Sequence, residues 1–280
     1  MSKNRILLSG GLGNQLFQYS FAYWISSVTN NTLELDITSY KSDPLRNLEL
    51  NNLIKLDFEC SEMNNLFLRV QKKIQKYINF KNWTIEDPYS PIFKDISEQK
   101  DLRRQVFDGY WQDLFFAQFS KSHILNLLEK RDKQYNNLYK KYIDLNQRTT
   151  SLHIRRGDYQ TSINSQIYVD LFSSGFYQKA IQLNKDCTDL FLIFSDDISW
   201  CKQRVDFIPE NSVFVDTTTN VVEDFNLMRK CNNKIISNST LSWWAAFLDE
   251  SNSPKITAPK KWLHNDHNMT LEHPEHWSLI

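Results

Sequence analysis

The stretch RILLSGGLGNQLFQYSFAYWISSVTNNTLELD, residues 5–36, reads as an apolar strand, a glycine turn, an apolar helix and a second strand. That is a βαβ opening, and it commits the chain to a parallel sheet from its first residues. Gly10, Gly11 and Gly13 give three glycines in four positions, which permits positive φ and lets a ligand approach the backbone closely. A plain tight turn explains the same residues. Gly11-x-Gly13 lacks the third glycine of the dinucleotide fingerprint, where Leu16 stands, and no phosphate-loop lysine follows. Asn14 and Gln15 are uncharged hydrogen-bonding groups, better suited to hydroxyls than to phosphates.

The alternation returns in the second half. SLHIR (151–155), FYQKAIQL (176–183), LFLIFSDD (190–197), SVFVD (212–216), VVEDFNLMRKC (221–231), KIIS (234–237) and TLSWWAAFLDE (240–250) follow in order. Short β-branched strands alternating with helices predict a mostly parallel sheet covered on both faces. Between the halves the sequence predicts helices at LFLRVQKKIQKYI (66–78) and SHILNLLEKRDKQYNNLYKKYI (122–143), with the aromatic stretch VFDGYWQDLFFAQF (106–119) between them. The expected fold is α/β, with domains at 1–148 and 149–280 and ligands in the cleft at the carboxyl ends of the strands.

The 280 residues, 41% hydrophobic and 24% charged, supply core enough for two domains. Lysine plus arginine equals aspartate plus glutamate at 33 each, so no global basic field points to nucleic acid, and any anion must be caught locally. Cys60, Cys187, Cys201 and Cys231 form no CxxC pair, which argues against a zinc site or a disulfide framework. The apolar run near the start is too short for a signal peptide, and no run reaches the roughly 20 residues of a membrane span. A cytoplasmic protein is expected.

Three further loops follow strands. HIRRGDY (153–159) sets two arginines beside an aspartate, and an arginine fork suits bidentate capture of a phosphate. Successive residues of a strand point to opposite faces. Arg155 is therefore assigned to the phosphates and Arg156 to an ion pair with Asp158, with His153 on the side of Arg155 as a core histidine or a ligand contact. SNST (237–240) places Asn238, Ser239 and Thr240 ahead of a helix, where they serve as caps or as an anion site. Asp196 and Asp197 of FSDD have no further ligands at metal-binding spacing. A ribose or guanine edge, or a helix cap, suits them better than a metal.

Taken together, GGLGNQLFQY, DGYWQD (108–113), HIRRGDY, GFYQKAI, FSDD, LMRKCNNKIISNSTLSWWAAFL and APKKWL closely resemble the α-1,2-fucosyltransferases of glycosyltransferase family 11. The resemblance runs in order from residue 5 to about residue 263 and is weakest across 40–105. It implies a GT-B-type fold of two Rossmann-like domains facing a cleft, and inverting, metal-independent transfer of L-fucose from GDP-fucose to the 2-hydroxyl of a terminal galactose in an oligosaccharide or glycolipid. It implies no cofactor, no nucleic-acid partner, and a surface-glycan role compatible with peripheral membrane association. Carried onto this chain, Arg155 meets the donor diphosphate with Ser239 and Thr240, while Asp196 and His153 lie in the nucleotide pocket. Asn238, Gly11 and Gly13 line the donor site, and Asn14 borders the acceptor. Leu16, Ser20, Leu241 and Arg229 depart from the family pattern, and Arg229 adds a charge ahead of KIIS. RRGDY-like motifs are also similar to those of α-1,6 and protein O-fucosyltransferases, with NST followed by WW favouring the α-1,2 assignment, and a non-catalytic nucleotide-sugar or glycan binder is the reading from another class.

Overall fold

The computed structural model describes residues 4–29, 32–62, 84–85, 106–144, 146–162, 164–204, 206–216, 220–251, 253–264 and 271–280. The helix expected at 66–78 lies outside them. The chain forms two compact units, Met1–Leu128 and Glu129–Ile280, each built on its own parallel sheet. The division precedes residue 148 because the helical segment after Leu128 belongs to the second unit.

In the first unit the strands are β1 (Asn4–Leu7), β2 (Leu33–Asp36), β3 (Glu59–Ser61), β4 (Thr84–Ile85) and β5 (Val106–Asp108), ordered β3-β2-β1-β5-β4. The chain moves outward from β1 through β2 to β3, then resumes on the other side of β1. The order therefore reverses beside β1, which makes the carboxyl ends of β1 and β5 the crevice where such sheets bind ligands. Ile6 pairs in register with both Leu35 and Phe107, and all three are fully buried. The helix Leu12–Val28 covers this centre and is buried along most of its length. Phe21 from that helix stacks on Trp111 at 3.9 Å between ring centroids and meets Phe107 edge-on at 5.2 Å. Ser20 faces the helix Leu114–Asp132, where its Oγ accepts a 2.7 Å hydrogen bond from Ser120. A small hydroxyl at that crossing is thus paired, which accounts for the departure at Ser20.

The second unit contains β6 (Thr149–Ile154), β7 (Leu190–Ser195), β8 (Ser212–Phe214), β9 (Asn233–Ile235), β10 (Ile256–Ala258) and β11 (Ser278–Leu279), ordered β11-β10-β9-β6-β7-β8. Counted from β6, this is the doubly wound 3-2-1-4-5-6 order read from the other edge, with the switch between β6 and β9. Leu152 and Ile154 pack with Phe191, Ile193 and Ile235 under Phe176, Tyr177 and Ala180 of the helix Phe176–Asn184. Ser151 and His153 alternate to the opposite face, where His153 meets Ser237, which in turn pairs with Ser242 of the helix Thr240–Phe247. Trp243 of that helix stacks on Phe247 at 4.8 Å.

At the amino ends of the second sheet, Arg229 is buried and pairs with Asp132 and Glu250. Lys234 pairs with Asp249 and donates to the Cys231 carbonyl at 2.6 Å. Arg229 closes the helix Val221–Lys230, and from there it serves packing at the end of the sheet opposite the crevice.

Candidate active site

In the second unit, the loop after β6 carries the two arginines. β6 stops at Ile154, so the alternation that would set Arg155 and Arg156 on opposite faces of a strand ends before it reaches them. Beyond Arg156, whose backbone is not helical, Gly157–Gln160 winds into a 3-10 turn with Asp158 near its start. Asp158 pairs with Arg155, Nη2 to Oδ1 at 2.5 Å, and not with Arg156. Asp196, from the end of β7, takes the other terminal nitrogen of Arg155 at 2.8 Å and accepts from the Arg156 amide at 2.9 Å. Burial works against the Arg155 charge, but Asp196 and Asp158 outweigh it and hold the guanidinium above its usual range. Its side chain is 16% exposed. Each terminal nitrogen carries two hydrogens, so each ion pair leaves one further N–H on that nitrogen.

Arg156 lies over Trp200, its Cζ 3.6 Å from a ring centroid, with the Asp197 carboxylate 4.0 Å away. Asp197 also caps the helix Ile198–Lys202 by accepting from the Trp200 amide at 3.0 Å. Asp196 thus braces the arginine loop and Asp197 caps a helix. Among the described residues no group of three or more histidine, cysteine, aspartate or glutamate side chains could hold a metal ion. A Cβ on Gly157 would come within 2.3 Å of Asp196 Oδ2, so this position must be glycine for the carboxylate to reach Arg155.

His153 is turned towards the loop after β9. It is buried, its Nδ1 lies 2.9 Å from Ser237 Oγ, and burial followed by the Arg155 charge lowers its pKa to about 3. It is a neutral core histidine that ties β6 to the loop after β9. Asn238 donates its amide to the carbonyls of Val169 (3.0 Å) and Trp262 (3.2 Å) and thereby anchors the loop. Ser239 is the N-cap of Thr240–Phe247, but its side chain makes no capping hydrogen bond, so capping does not account for this serine. Tyr159 bridges the two loops by donating to the Asn238 carbonyl at 2.9 Å.

The crevice of the first unit is built from amides. Gly10 has φ +75°, and a Cβ there would lie 2.6 Å from Asn14 Nδ2. Gln15 is fully buried and makes four hydrogen bonds: it donates to the carbonyls of Gly10 (3.0 Å) and Asn47 (2.8 Å) and accepts from the amides of Glu49 (3.0 Å) and Leu50 (2.9 Å). Gln18 accepts from the Ser9 amide and donates to the Gly109 carbonyl, which joins the loops after β1 and β5. Asn14 accepts from Gln112 at 3.0 Å. Gly11 lies against the Arg46 guanidinium, and Gly13 is buried inside the helix. Trp111 has φ +54°, unusual for so bulky a residue, and is held there by its stack on Phe21. The kink leaves the preceding Tyr110 41% exposed beside Gly10.

Sequence reasoning passed over Trp200, Tyr168 and Gln18. Trp200 and Tyr168 carry no motif signal, since each matters only through the ring or charge it meets in the folded unit. Gln18 stands on a helix whose apolar neighbours drew the whole segment into the core reading.

The model of glycosyl transferase family 11 matches residues 4–277. The chain belongs to glycosyl transferase family 11. This family 11 glycosyltransferase is 30% identical to the Escherichia coli O-antigen biosynthesis glycosyltransferase WbnK, over 95% of this chain and 97% of that one. It is also 30% identical to an E. coli alpha-1,2-colitosyltransferase, over 98% and 97% of the two chains. Among solved structures, it matches NodZ alpha-1,6-fucosyltransferase soaked with GDP-fucose at a TM-score of 0.54 and 14% identity, covering 88% of this chain and 92% of that one. The fold is the GT-B type, with two Rossmann-like units. Among the described residues no helix is long and apolar enough to cross a membrane.

Proposed function

We propose that the protein transfers L-fucose from GDP-fucose, with inversion and without a metal, to the 2-hydroxyl of a terminal galactose in a surface glycan. The observation that carries this reading is the arginine loop. Arg155 is fixed by two carboxylates at the topological switch point of a doubly wound sheet, where nucleotide-binding sheets take their ligands.

Breaking the bond between sugar C1 and the β-phosphate builds negative charge on the leaving diphosphate and positive character on the sugar. Arg155 meets the first without reorganising, because Asp158 and Asp196 already hold it in place. Thr240–Phe247 adds the positive end of its dipole and the amides of its first turn beside the Ser239 hydroxyl. The acidic residues of the loop are occupied: Asp196 with Arg155 and the Arg156 amide, Asp197 with a helix cap. Arginine charge takes the role that a divalent cation has elsewhere. The neutral amides of the first unit, Asn14 and Gln112 above all, suit a sugar acceptor, and Asn14 orients the attacking hydroxyl. Asp196, Ser239 and Thr240 belong to the donor side, the first as a brace.

A second reading concerns the donor alone. Identity of 30% to an alpha-1,2-colitosyltransferase across nearly the whole of both chains favours a GDP-linked colitose as the alternative sugar, which lacks the 3-hydroxyl of fucose. The test is GDP release with EDTA present, offering GDP-fucose and GDP-colitose separately against lactose, N-acetyllactosamine and a galactoside without its 2-hydroxyl. Release that survives EDTA, favours GDP-fucose and needs that hydroxyl is the expected result. Preference for GDP-colitose moves the donor, and turnover of the deoxy acceptor moves the linkage.

A further inference from the structure

Tyr159 closes the RRGDY loop and is bound on three sides. Its hydroxyl donates to the Asn238 carbonyl at 2.9 Å, its ring stacks on Tyr168 at 3.9 Å and 9°, and the Arg155 Cζ lies 5.4 Å from its ring centroid. Burial pushes the phenol up from its usual range, so it remains a donor at any working pH. Tyr168 belongs to a short ribbon in which it bridges Leu263, Val169 N–H donates to Trp262 O at 3.0 Å, and His264 N–H donates to Ile167 O at 2.9 Å. The Asn238 side chain is pinned to that same ribbon.

Asn238 is therefore fixed twice, by its side chain through the ribbon and by its main chain through Tyr159. The peptide from Asn238 to Ser239 is planar, so anchoring its carbonyl also fixes the direction of the Ser239 N–H. That amide stands at the N-cap of Thr240–Phe247. One hydroxyl thus couples the loop that carries Arg155 to the loop that opens the helix, across the switch between β6 and β9.

We propose that Tyr159 is a positioning residue that sets Arg155 and the Ser239 amide in the relation a nucleoside diphosphate requires. The inference rests on the donor reading above and adds a residue that acts through others. Its effect should fall on the nucleotide and spare the acceptor.

The test is Tyr159→Phe, which keeps the stacked ring and removes the hydroxyl. GDP affinity is measured by calorimetry on the whole protein, together with kcat/KM for the donor, KM for the acceptor and Tm. Loss of about tenfold in GDP affinity and in donor kcat/KM, the scale of one buried hydrogen bond, with acceptor KM unchanged, is the expected result. Wild-type GDP affinity in the variant overturns the proposal, as does an equal decline of donor and acceptor parameters with a large drop in Tm. If Tyr159→Phe does not fold, Tyr168→Leu loosens the same ring and should weaken GDP severalfold, and unchanged affinity there overturns it equally. A wild-type protein with no affinity for GDP sinks the donor reading itself, a result separate from any difference between variants.

Discussion

The two crevices occupy the same place in their sheets, each where the strand order reverses, yet they are held together by opposite chemistries. In the first unit the loops after β1 and β5 are joined by carboxamides, Gln15, Gln18 and the Asn14–Gln112 pair. In the second, the loops after β6 and β7 are joined by ions, with Arg155 between Asp158 and Asp196. Topology chooses the location and side chains choose the ligand. Loops knotted by carboxamides match hydroxyls, whereas a guanidinium fixed between two carboxylates matches developing phosphate charge.

The largest loss is expected at Arg155. Arg155→Ala should lower kcat by roughly 100- to 1000-fold, the typical cost of losing one electrostatic donor to a transition state. It should also lower Tm, because Asp158 and Asp196 then face each other without a cation between them. Arg156→Ala, which removes a guanidinium stacked on Trp200, should cost about 1 kcal/mol of stability and leave much of kcat. Steady-state kinetics and thermal unfolding of both variants decide it, and equal kinetic losses would end the distinction between the two arginines.

The converse test lies in the first unit. Gln15→Ala strips partners from two buried amides and two carbonyls, each of which costs about 1–3 kcal/mol when left unpaired. With water entering beside Asn47 and Glu49, a net loss of about 3 kcal/mol is expected in denaturant unfolding. GDP affinity should not change. A weakened GDP affinity would mean that the amide crevice serves the donor, and the contrast between the units would fail.

Most of the architecture was legible in the sequence. RILLS, TLELD, SLHI, LFLIF and KII are apolar runs between helical periodicities, and such patterns are local. β3, β4, β5, β10 and β11, each of two or three residues, were missed; β8 and β9 are as short, but the longer runs SVFVD and KIIS that hold them can be read. The site was legible as a set of loops but not as a set of bonds. Arg155 and Arg156 were assigned to opposite faces on the premise that the strand continued, and it stops one residue too early. Asp196 reaches Arg155 from another strand, a pairing that only packing can reveal. His153 is adjacent in sequence to the arginine loop, but alternation turns it into the core.

Gly157→Ala and Gly10→Ala should have milder effects. Gly157→Ala would drive a methyl to within 2.3 Å of Asp196 Oδ2, so the carboxylate must swing aside and release one arm of Arg155. Loss of one such hydrogen-bonded arm is worth about 1.5 kcal/mol, or roughly tenfold in kcat/KM for the donor. The glycine turn of the first unit offers a matched control: Gly10→Ala meets Asn14 Nδ2 at 2.6 Å and sits at φ +75°, and it should raise the acceptor KM. If both variants raise the same KM, the two crevices share one ligand.

The last contrast concerns pH. Carboxamides do not titrate, so the knots of the first crevice are indifferent to acid, whereas the second is backed by a histidine. His153 has its pKa lowered to about 3 by burial and by Arg155, against about 6.5 in the unfolded chain. Between these values the unfolded state holds a proton that the folded state refuses, so stability rises with pH across this window and is level above it. Acidification from pH 6.5 should therefore destabilise the protein by up to about 1.4 kcal/mol per pH unit through this residue. His273, lowered to about 4 by burial, acts in the same direction over a narrower range. His153→Asn keeps a polar partner for Ser237 and removes the titration. Its unfolding free energy, followed from pH 7 to pH 4, should fall less steeply than that of the wild type, with the slope due to His273 and the carboxylates remaining. Parallel curves would mean that His153 is protonated in the fold, which would put a third cation beside Arg155 and reopen its place in the donor site.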